Sequence, residues 1–374
     1  MESIRDAAYS KQNMIKKLSI IDWYIIKKFL GTYVFTIFLF IAIVVIIDIN
    51  QKFDDFIKNS ASAHAIIFDY YLNFIPYFIN SFSSLFVFIA VIFFTSKLAD
   101  NSEIIAMFSS GLSFNRLVVP YMISAAIIAI LTLMLNSYII PSGNIKRIDF
   151  ENKYVKNRKT EYAPHIQIEV EPSVIAYFTS FNNYDRRGDR FSLDRFEGKK
   201  LVSRLTAQSI IWDSAYHWTI NNYMIRNFDG MKETVITGVN MDTTLAIMPS
   251  DFLISYGDSE QLTTPALKTY IDRQKKRGIG NIQQFEIEYH RRYAIAFASF
   301  ILTIIGASLS SRKIKGGMGM NIGMGLLLSF SYILFMQITS TFAVSGIVSP
   351  FIAIWIPNAV YIFIAAFLYK KAPK

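Results

Sequence analysis

Six apolar runs, and where they lie, constrain this chain more than any other feature. Three fall before residue 141 and three after residue 293, and a long stretch of mixed polarity separates the two sets. A run of about 20 apolar residues crosses a bilayer as a helix, because in hydrocarbon the backbone must satisfy its own hydrogen bonds. The pattern predicts an α-helical membrane protein with six transmembrane helices in a 3 + 3 arrangement and one domain inserted on one side. The chain is 52% hydrophobic, above the roughly 45–50% of soluble domains, and the excess sits in those runs. It has no cysteine, which rules out structural disulfides and thiolate metal sites.

The spans are expected at about Phe29–Ile47, within Ile66–Leu98, at Leu117–Ile140, Tyr293–Leu309, Met320–Phe342 and Phe351–Tyr369. Pro76 is a candidate kink in the second. The first 28 residues are too polar for a cleaved leader, so the first span is expected to act as an uncleaved insertion signal. Short basic segments set orientation. They hold Lys16, Lys17, Lys27 and Lys28; Lys97 and Arg116; Arg312, Lys313 and Lys315; and Lys370, Lys371 and Lys374. With six spans all four segments share one side, predicted to be cytoplasmic, and the inserted domain faces the other. Residues 141–290 carry 20 Lys/Arg against 19 Asp/Glu, and the rest of the chain 18 against 9. The basic surplus therefore flanks the spans, which argues topology and against a nucleic-acid partner.

Residues 160–260 alternate with period two. In His165–Glu171, Ile166, Ile168 and Val170 share one face and Gln167, Glu169 and Glu171 the other, as in a half-buried strand. Similar runs occur near Ala176–Phe181, Leu201–Trp212, Trp218–Arg226 and Glu233–Val239. Arg187-Gly188, Glu197-Gly198 and Asp229-Gly230 are read as turns between them. Short strands with glycine turns predict a sandwich or jelly roll. Pro265–Arg277 then reads as helical, with a break at Gly278–Gly280, and Ile282–Arg292 as helical up to the fourth span.

The segment Ala99–Ser113 carries the sharpest local signal. Asp100, Asn101 or Ser102 is positioned to cap a short helix, Glu103 suits its first turn, and Gly111 suits its exit. Ile104, Ile105 and Phe108 are its candidate apolar face. Such a helix either docks in a groove of a cytoplasmic partner or merely connects two spans. Lys52 and Lys58, just past the first span, either hold lipid phosphates or snorkel, and Lys146 and Arg147 past the third pose the same alternative. Gly316–Gly325 lacks the Gly-Lys-Ser/Thr of a phosphate loop and follows no strand; Gly319 and Gly323, four apart, are expected to serve helix packing. His64, His165, His217 and His290 lack metal-ligand spacing, Asp48 and Asp69 sit near span ends, and no catalytic constellation stands out.

Over nearly its full length the chain resembles the LptF/LptG permease family of lipopolysaccharide export. The resemblance rests on Asp22-Trp-Tyr-Ile25 before the first span, on Asn101-Ser-Glu-Ile-Ile-Ala-Met-Phe-Ser-Ser-Gly111, on the middle β domain and on the Leu267–Gly278 helix. It implies a non-catalytic subunit of the inner membrane of a Gram-negative bacterium. The subunit would pair with a paralogous permease and bind a cytoplasmic ABC ATPase dimer, which holds ATP and Mg2+, through the helix containing Ser102, Glu103, Ile104, Phe108 and Gly111. The first and fifth spans would help line a lipid cavity. A periplasmic β-jellyroll would pass lipopolysaccharide to bridge proteins of the LptC/LptA type. Basic residues past the first span would contact the glycolipid's phosphates; Lys52 and Lys58 match them, and Asn59 stands where a second adjacent lysine can occur. The predicted organisation is then an N-terminal cytoplasmic segment with an amphipathic approach (1–28), spans one to three (29–140) with a coupling helix at about 100–111, the β-jellyroll (141–264), a helical connector (265–292) and spans four to six (293–374). The rival readings are a membrane sensor or receptor with an external β domain, a membrane lipid enzyme, and an ABC permease for another lipid.

Overall fold

The computed structural model describes residues 19–155, 162–182, 185–251, 257–276, 282–312 and 317–372. Lys16, Lys17, Lys313, Lys315, Lys374, Gly316 and the Gly278–Gly280 break lie outside them. The helices are α1 (Ile20–Lys58), a π-helical turn (Ala65–Tyr71), α2 (Leu72–Ser81), α3 (Ser83–Asp100), α4 (Glu103–Ser109), α5 (Phe114–Met134), a second π-helical turn (Leu135–Ile139) and α6 (Ile140–Tyr154). After the strands come α7 (Asp258–Gln261), α8 (Thr264–Lys276), α9 (Gln283–Ser310), α10 (Gly317–Val344) and α11 (Pro350–Lys371). Among the described residues six helical segments are long and apolar enough to cross a membrane: Ile20–Lys58, Ser83–Asp100, Phe114–Tyr154, Gln283–Ser310, Met318–Val344 and Pro350–Lys371.

The chain divides into two compact units. One comprises the residues up to Gln51, Ile75–Asn136 and the residues from His290 on; the other comprises Lys52–Phe74 and Ser137–Tyr289.

The first unit is a helical bundle. α1 opens with a capping box, in which the Ser19 N–H donates to Asp22 at 2.7 Å and the Asp22 N–H donates to the Ser19 hydroxyl at 3.3 Å. Phe94 of α3 stacks between Phe29 of α1 (5.4 Å) and Tyr121 of α5 (5.1 Å). Buried polar side chains tie the spans where hydrocarbon offers no other partner. Thr95 meets Tyr121 at 2.9 Å, Asn321 donates to Ser96 at 3.0 Å, and Asn358 accepts from Tyr332 at 2.9 Å while donating to the Ala294 carbonyl at 3.0 Å.

Inside this chain the glycines that let the helices close up are Gly306 and Gly325. A Cβ on Gly319 or Gly323 would meet nothing within 4 Å. A Cβ on Gly306 of α9 would lie 2.8 Å from Val91 Cγ1, and one on Gly325 of α10 would run into Ile92. Four-residue spacing identifies a small-residue stripe but not the helix face that has a neighbour. Val91 is β-branched and stiff, so it cannot swing away. Gly306→Leu is expected to cost about 1–3 kcal/mol, whereas Gly319→Ala and Gly323→Ala should stay within about 0.5 kcal/mol. Thermal unfolding in detergent measures both, and a Gly319→Ala loss as large as that of Gly306→Leu would restore the expectation drawn from spacing.

The second unit contains the expected inserted β domain. It is a six-stranded antiparallel sheet, among the described residues, whose strands lie in chain order: β1 Tyr162–Glu171, β2 Val174–Asn182, β3 Arg187–Glu197, β4 Lys200–Ser214, β5 His217–Asp229 and β6 Lys232–Thr244. Gly198 (φ 64°) and Gly230 (φ 62°) supply the turns expected of them. Arg187-Gly188 does not form a turn; both residues lie inside β3, where Arg187 pairs with Asn182 and Gly188 with Phe181. Gly188 is small because of packing: a Cβ there would lie 2.6 Å from Phe178 and 3.0 Å from Ile210. β3 escapes the alternation test because charged residues (Arg187, Asp189, Arg190, Asp194 and Arg195) fall on both of its faces and its phase changes at Arg190.

One line crosses the whole sheet. The ladders skip the pairs that would join His165, Thr179, Arg190, Gln208, Asn222 and Val239 in turn. On alternate strands the skipped residue has positive φ: His165, Arg190 and Asn222, each at 50°. At this line the inward-facing parity changes, from Val174, Ala176 and Phe178 to Phe181 in β2, and from Leu205 and Ala207 to Ile210 in β4. The register is the same on both sides of the line, so paired strands each pass one unpaired residue there and change phase together, which keeps the apolar side chains of both halves on one core. That core gathers Phe178, Phe181, Phe191, Ile210, Trp218 and Ile220.

Candidate functional site

The expected docking segment, taken first, forms α4 between α3 and α5. Ser102 occupies its N-cap position but is left-handed (φ 61°) and makes no side-chain cap. The chain reverses there within two residues of α3, and that tight turn takes the backbone geometry a capping serine would need. Asn101 instead donates to Glu103 Oε1 at 3.2 Å. Gly111 (φ 85°) ends the segment in a Schellman motif, with the Gly111 N–H on Phe108 O (3.0 Å) and the Leu112 N–H on Met107 O (3.1 Å).

The apolar face of α4 splits. Ile104 is fully buried in a cluster with Ile25, Phe29, Leu98, Phe114 and Leu117, and Phe108 is half-buried against it. Ile105 points the other way and is 51% exposed. Ala106, Ser109 and Ser110 are exposed with it. α4 therefore has a seated face and a presented face, as a docking helix needs.

Sequence reasoning missed what fastens this segment. Arg116, read as a topology charge, donates Nη1 to Asp22 Oδ1 at 2.7 Å and Nη2 to Asp22 Oδ2. Tyr24 donates its hydroxyl to Glu103 Oε2 at 2.9 Å. Tyr369 of α11 donates to Asn115 at 2.8 Å. The available signal was the Asp22-Trp-Tyr24 cluster at a span start, but its partners lie 79 and 94 residues away.

Along α1 between Gly31 and Ile43, Val34, Phe35, Phe38 and Leu39 form a bare apolar face. The apolar window of α1 is 6% buried, against 78% for α3 and 67% for α9. α10 is also sparsely covered, with Leu327, Phe330, Leu334 and Ile338 exposed.

The four candidate phosphate cations belong to the second unit and divide into two pairs. Lys58 and Lys146 are exposed. Arg147 is buried; its guanidinium meets Asn144 Oδ1 at 3.0 Å, Glu151 at 3.1 Å and Glu260 at 3.4 Å. The structure thus removes Arg147 from the group of accessible cations, because its three acceptors already satisfy a buried guanidinium and tie α6 to α7. Lys52 is half-buried. It donates to the Tyr70 hydroxyl, lies over the Tyr70 ring at 4.5 Å, and stands 4.0 Å from Glu151. Tyr70 belongs to the first π-helical turn, and it stacks with Phe74 (5.4 Å) and Phe150 (5.3 Å). Asn59, at the suspected lysine position, donates instead to the Tyr154 carbonyl at 2.7 Å.

β6 ends the sheet and is largely exposed on both faces, with Val235, Ile236 and Val239 bare. Near its start the Arg226 guanidinium holds the Glu233 carboxyl below the usual carboxylate range through their hydrogen bonds. Among the described residues no three His, Asp or Glu side chains gather as a metal site.

Compared with known proteins, residues 23–371 match the family model described as lipopolysaccharide export system permease LptF/LptG. No curated protein matches the chain.

Proposed function

This chain belongs to the LptF/LptG family of lipopolysaccharide export permeases, and from that premise we propose that it is the non-catalytic membrane subunit of an ATP-driven lipid extractor. It is a membrane protein, and its family places it in the lipopolysaccharide export system. In this reading it sits in the inner membrane with its β domain in the periplasm. It pairs with a paralogous permease, and a cytoplasmic ABC ATPase dimer supplies ATP and Mg2+ chemistry. Lipopolysaccharide leaves the membrane by way of the β domain and a bridge of the LptC/LptA type.

The observation that carries the reading is α4, a helix seated by Ile104 and presenting Ile105, Ala106 and Ser109 between two spans. Lys27, Lys28, Lys97, Arg116, Lys370 and Lys371 lie at helix ends that alternation through six spans assigns to that same side, which supports a cytoplasmic partner. The bare faces of α1 and α10 suit acyl chains and a second permease. Lifting a lipid costs about 0.8 kcal/mol for each CH₂ taken from hydrocarbon, so multi-chain cargo needs outside work. Lys58 and Lys146 are the cations proposed to meet its phosphates, while Lys52 and Arg147 hold helices together. The open edge of β6 suits a partner that adds a strand.

Purification from native membranes in mild detergent, with mass spectrometry of what is retained, tests this. A cytoplasmic ATPase and a second six-span permease are the expected companions. Recovery of the chain alone, under conditions that preserve such complexes, would sink the proposal.

A further inference from the structure

The polar ties at the base of the first unit single out one span from six. Asp22 is 2% exposed, takes both Nη atoms of Arg116, and also closes the capping box with Ser19. A bidentate arginine–carboxylate pair resists sliding and rotation as well as separation. Two residues on, Tyr24 holds Glu103. The first turn of α1 is therefore fastened to the first residue of α4 and to the first turn of α5. Ile25 and Phe29 seat the next turns in the same cluster as Ile104.

Beyond Tyr33 the packing of α1 thins, and Val34, Phe35, Phe38 and Leu39 are all exposed. α3 and α9, in contrast, are gripped along their length. Near its far end α1 is held again, by Lys52 on Tyr70 and by Phe56 among Tyr70 and Phe150. It is thus pinned at both ends and bare between, and a shift of its start is taken up along that bare stretch.

We infer that Asp22, Arg116, Tyr24 and Glu103 are positioning residues that weld the start of α1 to the α4 segment, so that a displacement imposed on α4 is delivered to α1 rather than to α3 or α9. The inference rests on the reading that α4 meets a partner ATPase. Glu103 then acts inward, through Tyr24, and the outward contact falls to Ile105 and its neighbours. Arg116 works as a linkage as well as a topology charge.

The chain has no cysteine, so Phe38→Cys, on the exposed face of α1, accepts a single spin label. The test uses the complete complex, with its permease partner and ATPase, in proteoliposomes. The change in label mobility between the nucleotide-free and ATP–vanadate states is read together with ATP hydrolysis and lipid release. Arg116→Gln should leave ATPase retention and hydrolysis within about twofold, while the label response and lipid release fall about tenfold, the size of a typical coupling free energy. Arg116→Lys, which keeps the charge but not the fork, should fall between. Tyr24→Phe removes one hydroxyl and no packing; it should lower the response about threefold, and it carries the test if Arg116→Gln fails to assemble. Unchanged label response and release in both variants overturn the inference. So does hydrolysis that falls in step with release, since that marks a role in folding alone. A wild-type complex that retains no ATPase refutes the permease reading instead.

Discussion

Ile105→Asp is expected to strip the cytoplasmic ATPase from the purified complex. Ile105 is the large apolar side chain that α4 turns outward, while its neighbour Ile104 is buried beneath it. A carboxylate in its place must enter an apolar groove without a partner, or keep the groove open to water. Central interface anchors of this kind cost about 2–4 kcal/mol when lost, or about 30- to 1,000-fold in affinity. Because the side chain is exposed in the chain by itself, folding should be unaffected, and an unchanged melting temperature checks this. Glu103→Ala should weaken retention less, since Tyr24 and Asn101 already engage that carboxylate within the chain. ATPase retention across a concentration series measures both. Full retention in Ile105→Asp would remove the outer face of α4 from the interface.

Trp218→Ala should unfold the β domain while leaving the helical bundle in place. Trp218 is 1% exposed, packs on Phe178 and Phe181 at ring distances of 6.2 and 6.1 Å, and donates its indole N–H to the Ile247 carbonyl at 3.1 Å. Truncation leaves a cavity against Phe178 and Phe181, which flank the phase change in β2, and orphans a buried carbonyl. The cavity costs about 3–5 kcal/mol, and the lost hydrogen bond about 1 kcal/mol more. A single domain has about 5–15 kcal/mol in total, so the loss takes much of its stability. Trp218→Phe, which keeps most of the apolar volume, should cost clearly less. Hydrogen exchange of the full-length protein reads the effect by region: the amides of β2 to β5 should lose protection while those of α3 and α9 keep theirs. Protection that stays uniform in Trp218→Ala would show that the aromatic cluster is not what holds the sheet.

The spans, five of the six described strands and α8 were legible because each has a period of its own; β3 was not. Where a reading depended on what stands opposite a residue, it failed. Gly319 and Gly323 have the right spacing on a face with no neighbour inside this chain, whereas Gly306 and Gly325 carry the close contacts within it from positions that spacing does not mark. Gly188 looks like a turn and is a packing glycine. Ser102 looks like a cap, and its left-handed backbone prevents it. Ile104 and Ile105 are adjacent on the chain and lie on opposite sides of α4, so one apolar face became two. Arg147 and Lys146 are likewise adjacent, and only Lys146 is exposed.

By itself the sequence determined that this is a membrane protein of six spans with an inserted β domain, and which segment between spans two and three presents a short helix. Hydropathy and period are sums over neighbours along the chain, and hydrocarbon leaves helices few alternatives. Only the tertiary structure decided which cations are available, which glycines are needed, how the strands change phase at His165, Arg190 and Asn222, and that Asp22 and Tyr24 reach Arg116 and Glu103. Those outcomes depend on pairs of groups brought together from far apart in the chain, and no local pattern encodes which pair forms.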